Sequence, residues 1–163
     1  MKDNNIKIST LIKSTCINLS LKGKNKKEII AGLVELIAKS KRLRNKKKLF
    51  KIMMEREKLG STGIGNGIAI PHAKSKDVHD FILAFAKKEE GIDFGALDGE
   101  KTYIFFALAS PEKDVGNHLK ILSEISRLAR DKFTIELLKK AKDKNSVLKV
   151  ISEAEKALSH SHF

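Results

Sequence analysis

Apolar positions along this chain follow two different periods. Between Lys26 and Ser40, Ile29, Ile30, Leu33, Val34 and Ile37 recur every three or four residues, the spacing of one helix face. Asn25 stands just before them with Glu28 three positions on, the arrangement in which a side-chain oxygen accepts from a free amide of the first turn. A first helix ending near Ser40 is expected. Asn45 starts a second, in which Leu49, Ile52 and Met53 form an apolar stripe that Arg56 continues. That spacing puts a guanidinium at the edge of a buried face.

After Gly67 the period shortens. Ile68–Ile70, Phe81–Ala86 and Thr102–Ala109 are β-prone runs, the last two almost continuously apolar, as strands covered on both faces are. From Asn117 the helical period returns in Leu119, Ile121, Leu122, Ile125 and Leu128, and Val147, Ile151, Ala154 and Leu158 predict a final helix. Strands in the middle with helices around them imply an α/β fold. There is no internal repeat, linker or low-complexity segment, so residues 1–163 read as one domain. Only Met1–Asn5 and Ser159–Phe163, with His160 and His162, read as loose ends.

Composition narrows the class. A chain of 163 residues buries a sizeable core without staples, and its single Cys16 cannot form an internal disulfide. The longest apolar runs are far too short to span a bilayer, and the expectation is a cytoplasmic protein. The net charge of +13 invites a nucleic-acid reading. Against it, the 33 basic residues comprise 28 lysines and only 5 arginines, the residue suited to bidentate contacts with phosphates and guanine edges. The lysines also run throughout the chain. The reading taken is a solvated lysine-rich surface with no nucleic acid expected, a basic nucleic-acid-binding domain standing as the distant alternative.

The densest chemistry lies in GSTGIGNGIAIPHAK, residues 60–74. Gly63, Gly65 and Gly67 match neither nucleotide-binding glycine pattern. They permit either an anion-binding concavity of backbone N–H groups or a tight turn into a strand, and the glycines alone leave both open. Pro71 cannot donate to a sheet ladder, so the strand Ile68–Ile70 is expected to end there and His72 to emerge at its carboxyl end, where open α/β sheets bind ligands. His118 shares a helix face with Ile121, Leu122 and Ile125 and is aimed inward. One imidazole as nucleophile, a second as hydrogen-bond donor and Arg56 on anionic oxygens would compose a phosphoryl-transfer site, favoured further by the helix N-terminus near His118. The competing reading, a metal held by His72 and His118, lacks a carboxylate or cysteine in a recognisable ligand spacing. No metal or cofactor is expected.

The segment EREKLGSTGIGNGIAIPHAKS, residues 55–75, closely resembles the active-site signature of the type-2 EIIA components of the bacterial phosphoenolpyruvate-dependent phosphotransferase system, the fructose, mannitol and nitrogen-regulatory family. IDFGALDGE at 92–100 and SPEKDVGNHLKILSEISRLARD at 110–131 extend the likeness, which covers most of residues 15–158. The resemblance implies a mixed β-sheet flanked by helices and a phosphotransferase component. By it, His72 is the phosphorylated histidine, His118 the second active-site histidine and Arg56 the arginine beside the phosphate. Ser61, Thr62, Gly63, Gly65 and Gly67 form the loop expected to support that phosphate. The implied donor is HPr or its nitrogen-branch counterpart. The implied acceptor is an EIIB domain of a fructose- or mannitol-type transporter, or a regulated protein if the chain is of the nitrogen type, so any tie to a membrane is indirect. No IIB-like or membrane IIC segment accompanies the signature, and a freestanding component is expected.

Overall fold

Five of the six described helices begin where a side chain offers an oxygen to the free amides of a first turn. Asn25 accepts from the Glu28 amide at 2.9 Å and opens α2 (Lys26–Ala38), while the Glu28 carboxylate reaches back to the amide of Lys24. Asn45 does the same for α3 (Lys46–Lys58), and Asp114 for α4 (Val115–Ala129) through the amide of Asn117. Two further elements, α5 (Lys132–Lys140) and α6 (Lys144–His160), complete the carboxyl half. A single turn, α1 (Ile8–Leu11), leads into the first strand. The structure is a computed structural model describing residues 6–160, for His160 without its side chain. Met1–Asn5 and residues 161–163 lie outside the described residues. Ser159 and His160, expected to be loose, instead close α6, two residues beyond the Leu158 that ends its apolar stripe.

The strands are β1 (Ile12–Asn18), β2 (Gly63–Gly65), β3 (Ile68–Ala69), β4 (His72–Ser75), β5 (Ile82–Ile92) and β6 (Thr102–Pro111). They form one mixed sheet in the order β1-β5-β6-β3-β2, with β4 also on β6. The β5–β6 pair is antiparallel, while β1 runs parallel to β5 and β3 and β4 run parallel to β6.

One expectation is overturned. β3 stops short of Pro71, but the ladder does not end with it, and His72 opens β4 rather than standing at a strand's carboxyl end. Ile68 and Ala69 pair with Ile104 and Phe105, and His72 and Ala73 pair with Leu108 and Ala109, so β3 and β4 hold one register on either side of Ile70–Pro71. Proline removes only a donor. Its carbonyl still accepts from the Leu108 amide at 3.0 Å, and pairing resumes at once.

Side chains alternate between two cores. Ala69, Ala73, Ala84, Ala86, Phe105, Ala107 and Ala109 face α2 and α3, and the small residues let those helices approach the sheet closely. Ile68, Ile70, Leu83, Phe85, Phe106 and Leu108 face α4, α5 and α6. Among the described residues no helix is long and apolar enough to cross a membrane.

Candidate active site

The break between β3 and β4 brings His72 to a half-buried position at the edge of the sheet, with α3 packed against β4. Its Nδ1 lies 2.7 Å from the carbonyl oxygen of Ile70. A carbonyl can only accept, so Nδ1 carries the proton and Nε2 keeps the lone pair. Burial holds the imidazole pKa below its ordinary value, and the charges of Arg56 and Lys74 push the same way against the Ile70 bond and the Glu57 carboxylate. The ring is therefore neutral near pH 7.

The His118 ring stands 5.4 Å from that of His72, centroid to centroid, tilted by 57°. It is buried, its Nδ1 lies 2.7 Å from the Ser110 hydroxyl, and burial followed by repulsion from His72 and Lys74 pushes its pKa down to about 4. The N-terminus of α4, expected to attract an external anion, is already served by one from the chain: Asp114 accepts from both the backbone and the side-chain amide of Asn117.

Arg56 is half-buried in the last turn of α3 and donates to the Gly60 carbonyl at 2.9 Å. Next to it Glu57 is almost fully buried, and it ties down the loop that follows. Its carboxylate accepts from the Thr62 amide at 2.8 Å, the Thr62 hydroxyl at 2.7 Å and the Lys26 ammonium at 2.9 Å. The Ser61 hydroxyl donates to the Phe94 carbonyl at 2.7 Å and accepts from the Gly63 amide. Both hydroxyls expected beside a phosphate thus brace the loop, whose Thr62 carbonyl takes the Ile70 amide at 3.0 Å.

Gly65 and Gly67 are elsewhere. Asn66 and Gly67 both adopt positive φ, at 57° and 81°, and form the tight turn between β2 and β3. The Gly67 carbonyl accepts from the amides of Tyr103 and Ile104, whereas His72 pairs with Leu108, which separates turn and imidazole by about 15 Å of strand. Of the two readings the glycines left open, the tight turn is the one that Asn66 and Gly67 form.

Three neighbours of the site went unread in the sequence. Lys74 follows His72 by two on a strand and shares its face, which ending the strand at Pro71 concealed. Ser110 is a lone hydroxyl closing a continuous apolar run, a signal that was present. Glu57 had none, because its partners come from another helix and a loop. Among the described residues no group of three or more His, Cys, Asp or Glu side chains could hold a metal ion.

A sheet-edge imidazole with a free Nε2 thus stands against a second imidazole, with the charge of Lys74 acting on both rings and that of Arg56 on the first. The chain belongs to the family described as Phosphoenolpyruvate-dependent sugar phosphotransferase system, EIIA 2, which it matches over residues 10–154. It is 35% identical over 147 residues to a nitrogen regulatory protein of Bradyrhizobium diazoefficiens, covering 89% of this chain and 94% of that one. To the fructose-specific EIIABC component of Bacillus subtilis it is 31% identical over 151 residues, 93% of this chain but 24% of the relative, so it spans about a quarter of that protein. The crystal structure of the nitrogen regulatory protein IIA-Ntr from Neisseria meningitidis superposes with a TM-score of 0.83 at 29% identity, over 88% of this chain and 98% of that one. The enzyme IIA of mannitol from Escherichia coli, solved in complex with phosphorylated enzyme IIB, shares the fold with a TM-score of 0.75 at 23% identity, over 87% and 97%.

Proposed function

We propose that this chain is a phosphohistidine carrier in which Nε2 of His72 takes a phosphoryl group from an HPr-type carrier and passes it to an EIIB domain of a fructose- or mannitol-type transporter. The observation that carries the reading is the bond from His72 Nδ1 to the Ile70 carbonyl, which leaves Nε2 as the nucleophile. In loading, the donor's P–N bond breaks as a new P–N bond forms at Nε2, and the donor imidazole leaves with the electron pair. The His72 ring gains positive charge as it attacks, and the Ile70 carbonyl and Glu57 stabilise that charge. Arg56, Lys74 and an N–H of His118 take the charge on the phosphoryl oxygens. Handing the group on reverses these steps at the acceptor. The EIIB acceptor is supported by the mannitol relative, solved with its phosphorylated IIB.

A second reading shares this chemistry. In it the phosphorylation state of His72 controls partner proteins, and the nitrogen regulatory relative, matched over 94% of its own length, favours it.

Incubation with phosphoenolpyruvate, enzyme I and HPr should add one acid-labile phosphoryl group by intact mass, and His72→Ala should add none while remaining folded. Parental uptake by the variant would remove His72 from its role. Offering the loaded protein to purified EIIB domains separates the two readings, since a purely regulatory carrier keeps its phosphate.

A further inference from the structure

Ser110 closes the apolar run of β6 on the face of Phe106 and Leu108, and it is completely buried. Its hydroxyl oxygen lies 2.7 Å from Nδ1 of His118, and among the described residues it has no other hydrogen-bond partner. A buried hydroxyl hydrogen left without an acceptor is costly, and an unprotonated imidazole nitrogen is the one acceptor within reach. The proton of that bond therefore belongs to the serine.

We infer that Ser110 donates to Nδ1 of His118 and thereby fixes the imidazole proton on Nε2, so that Ser110 is the positioning residue that makes His118 a hydrogen-bond donor. The contrast with His72 is chemical. His72 is given a carbonyl, which only accepts, and so presents a lone pair at Nε2. His118 is given a hydroxyl whose hydrogen has nowhere else to go, and so presents N–H at Nε2. Two neutral imidazoles with ring centres 5.4 Å apart are thus sorted into acceptor and donor by one oxygen each. With the opposite tautomer His118 would set a second lone pair beside the phosphoryl oxygens, repelling them and competing with His72 for the group. The tautomer stands on geometry alone, while its use in transfer rests on the phosphocarrier reading.

The test begins without phosphate. Long-range proton–nitrogen NMR correlation on protein with 15N-labelled histidine should show His118 protonated at Nε2 and His72 at Nδ1. A proton on Nδ1 of His118 in the parent protein overturns the inference whatever any variant does. Ser110→Ala should give His118 a mixture of tautomers and slow loading of His72 from phospho-HPr about tenfold, the effect of one hydrogen bond. Ser110→Thr, which keeps the hydroxyl, should restore the single tautomer and the rate. An alanine variant with a single Nε2-protonated tautomer or the parental rate overturns the role. If the parent takes up no phosphate, the phosphocarrier reading fails, and the NMR arm still decides the tautomer.

Discussion

A buried imidazole that stays neutral to about pH 4 makes stability depend on pH. In the unfolded chain His118 titrates near 6.5, in the folded one near 4, so between these values the unfolded state binds more protons and stability rises with pH. The stabilisation is complete above pH 6.5 and is lost as pH falls toward 4. For His118 the loss from pH 7 to pH 5 is up to about 2 kcal/mol, and His72, shifted in the same direction, adds to it. Urea midpoints at the two pH values measure the slope, which His118→Gln should flatten; a midpoint equal at both in the parent would show that the ring is not held neutral. At this scale the sequence was legible where a residue type announces its chemistry, as His72, His118 and Arg56 do. It was silent where a residue acts through another, as with Glu57, whose buried carboxylate gathers Thr62 and Lys26 from outside its own helix.

At the scale of elements, periodicity revealed α2, α3, α4, α6, β5 and β6, because each buries a regular apolar stripe or run. It missed β1, only three of whose seven residues are buried, and β2 and β4, too short to show a period. It also missed α5, whose support comes from far along the chain. Lys87, buried in β5, donates to the carbonyls of Leu138, Lys139 and Ala141 and so closes the carboxyl end of that helix. Burial lowers the pKa of its ammonium, and the three carbonyls are the compensation. Lys87→Met keeps the apolar stem and strips the donors. It should destabilise the fold by about 2–3 kcal/mol in urea unfolding, with His72 still phosphorylated at the parental rate. A stability within 0.5 kcal/mol of parental, roughly the scatter for surface substitutions, would show that α5 needs no such cap.

At the scale of the whole molecule, the basic side chains crowded between Lys39 and Lys58 are mostly exposed, partly neutralised by Arg42–Asp80, Lys46–Glu35 and Lys48–Asp77 pairs. Such side chains attract phosphate backbones through counterion release and nothing more specific. Binding to random duplex DNA in a mobility-shift titration should therefore be weak and vanish at physiological salt, whereas salt-resistant or sequence-selective binding would call for a dedicated interface. The site, by contrast, draws on both layers of the molecule: α3 supplies Arg56 from one face of the sheet, α4 supplies His118 from the other, and β4 at the edge lies between them. The unbroken register across Ile70–Pro71 gives that edge a parity. Even-numbered residues from Ile68 to Lys74 belong to the α4 side and odd-numbered ones to the α3 side, so the length of the segment from Gly67 to His72 is constrained modulo two. One residue more or less would turn the imidazole into the alanine-lined core and bring Pro71 or Ala73, respectively, into its place beside His118, while a change of two would keep the face and shift only the position along β6. Chain length here selects which side of the sheet does chemistry.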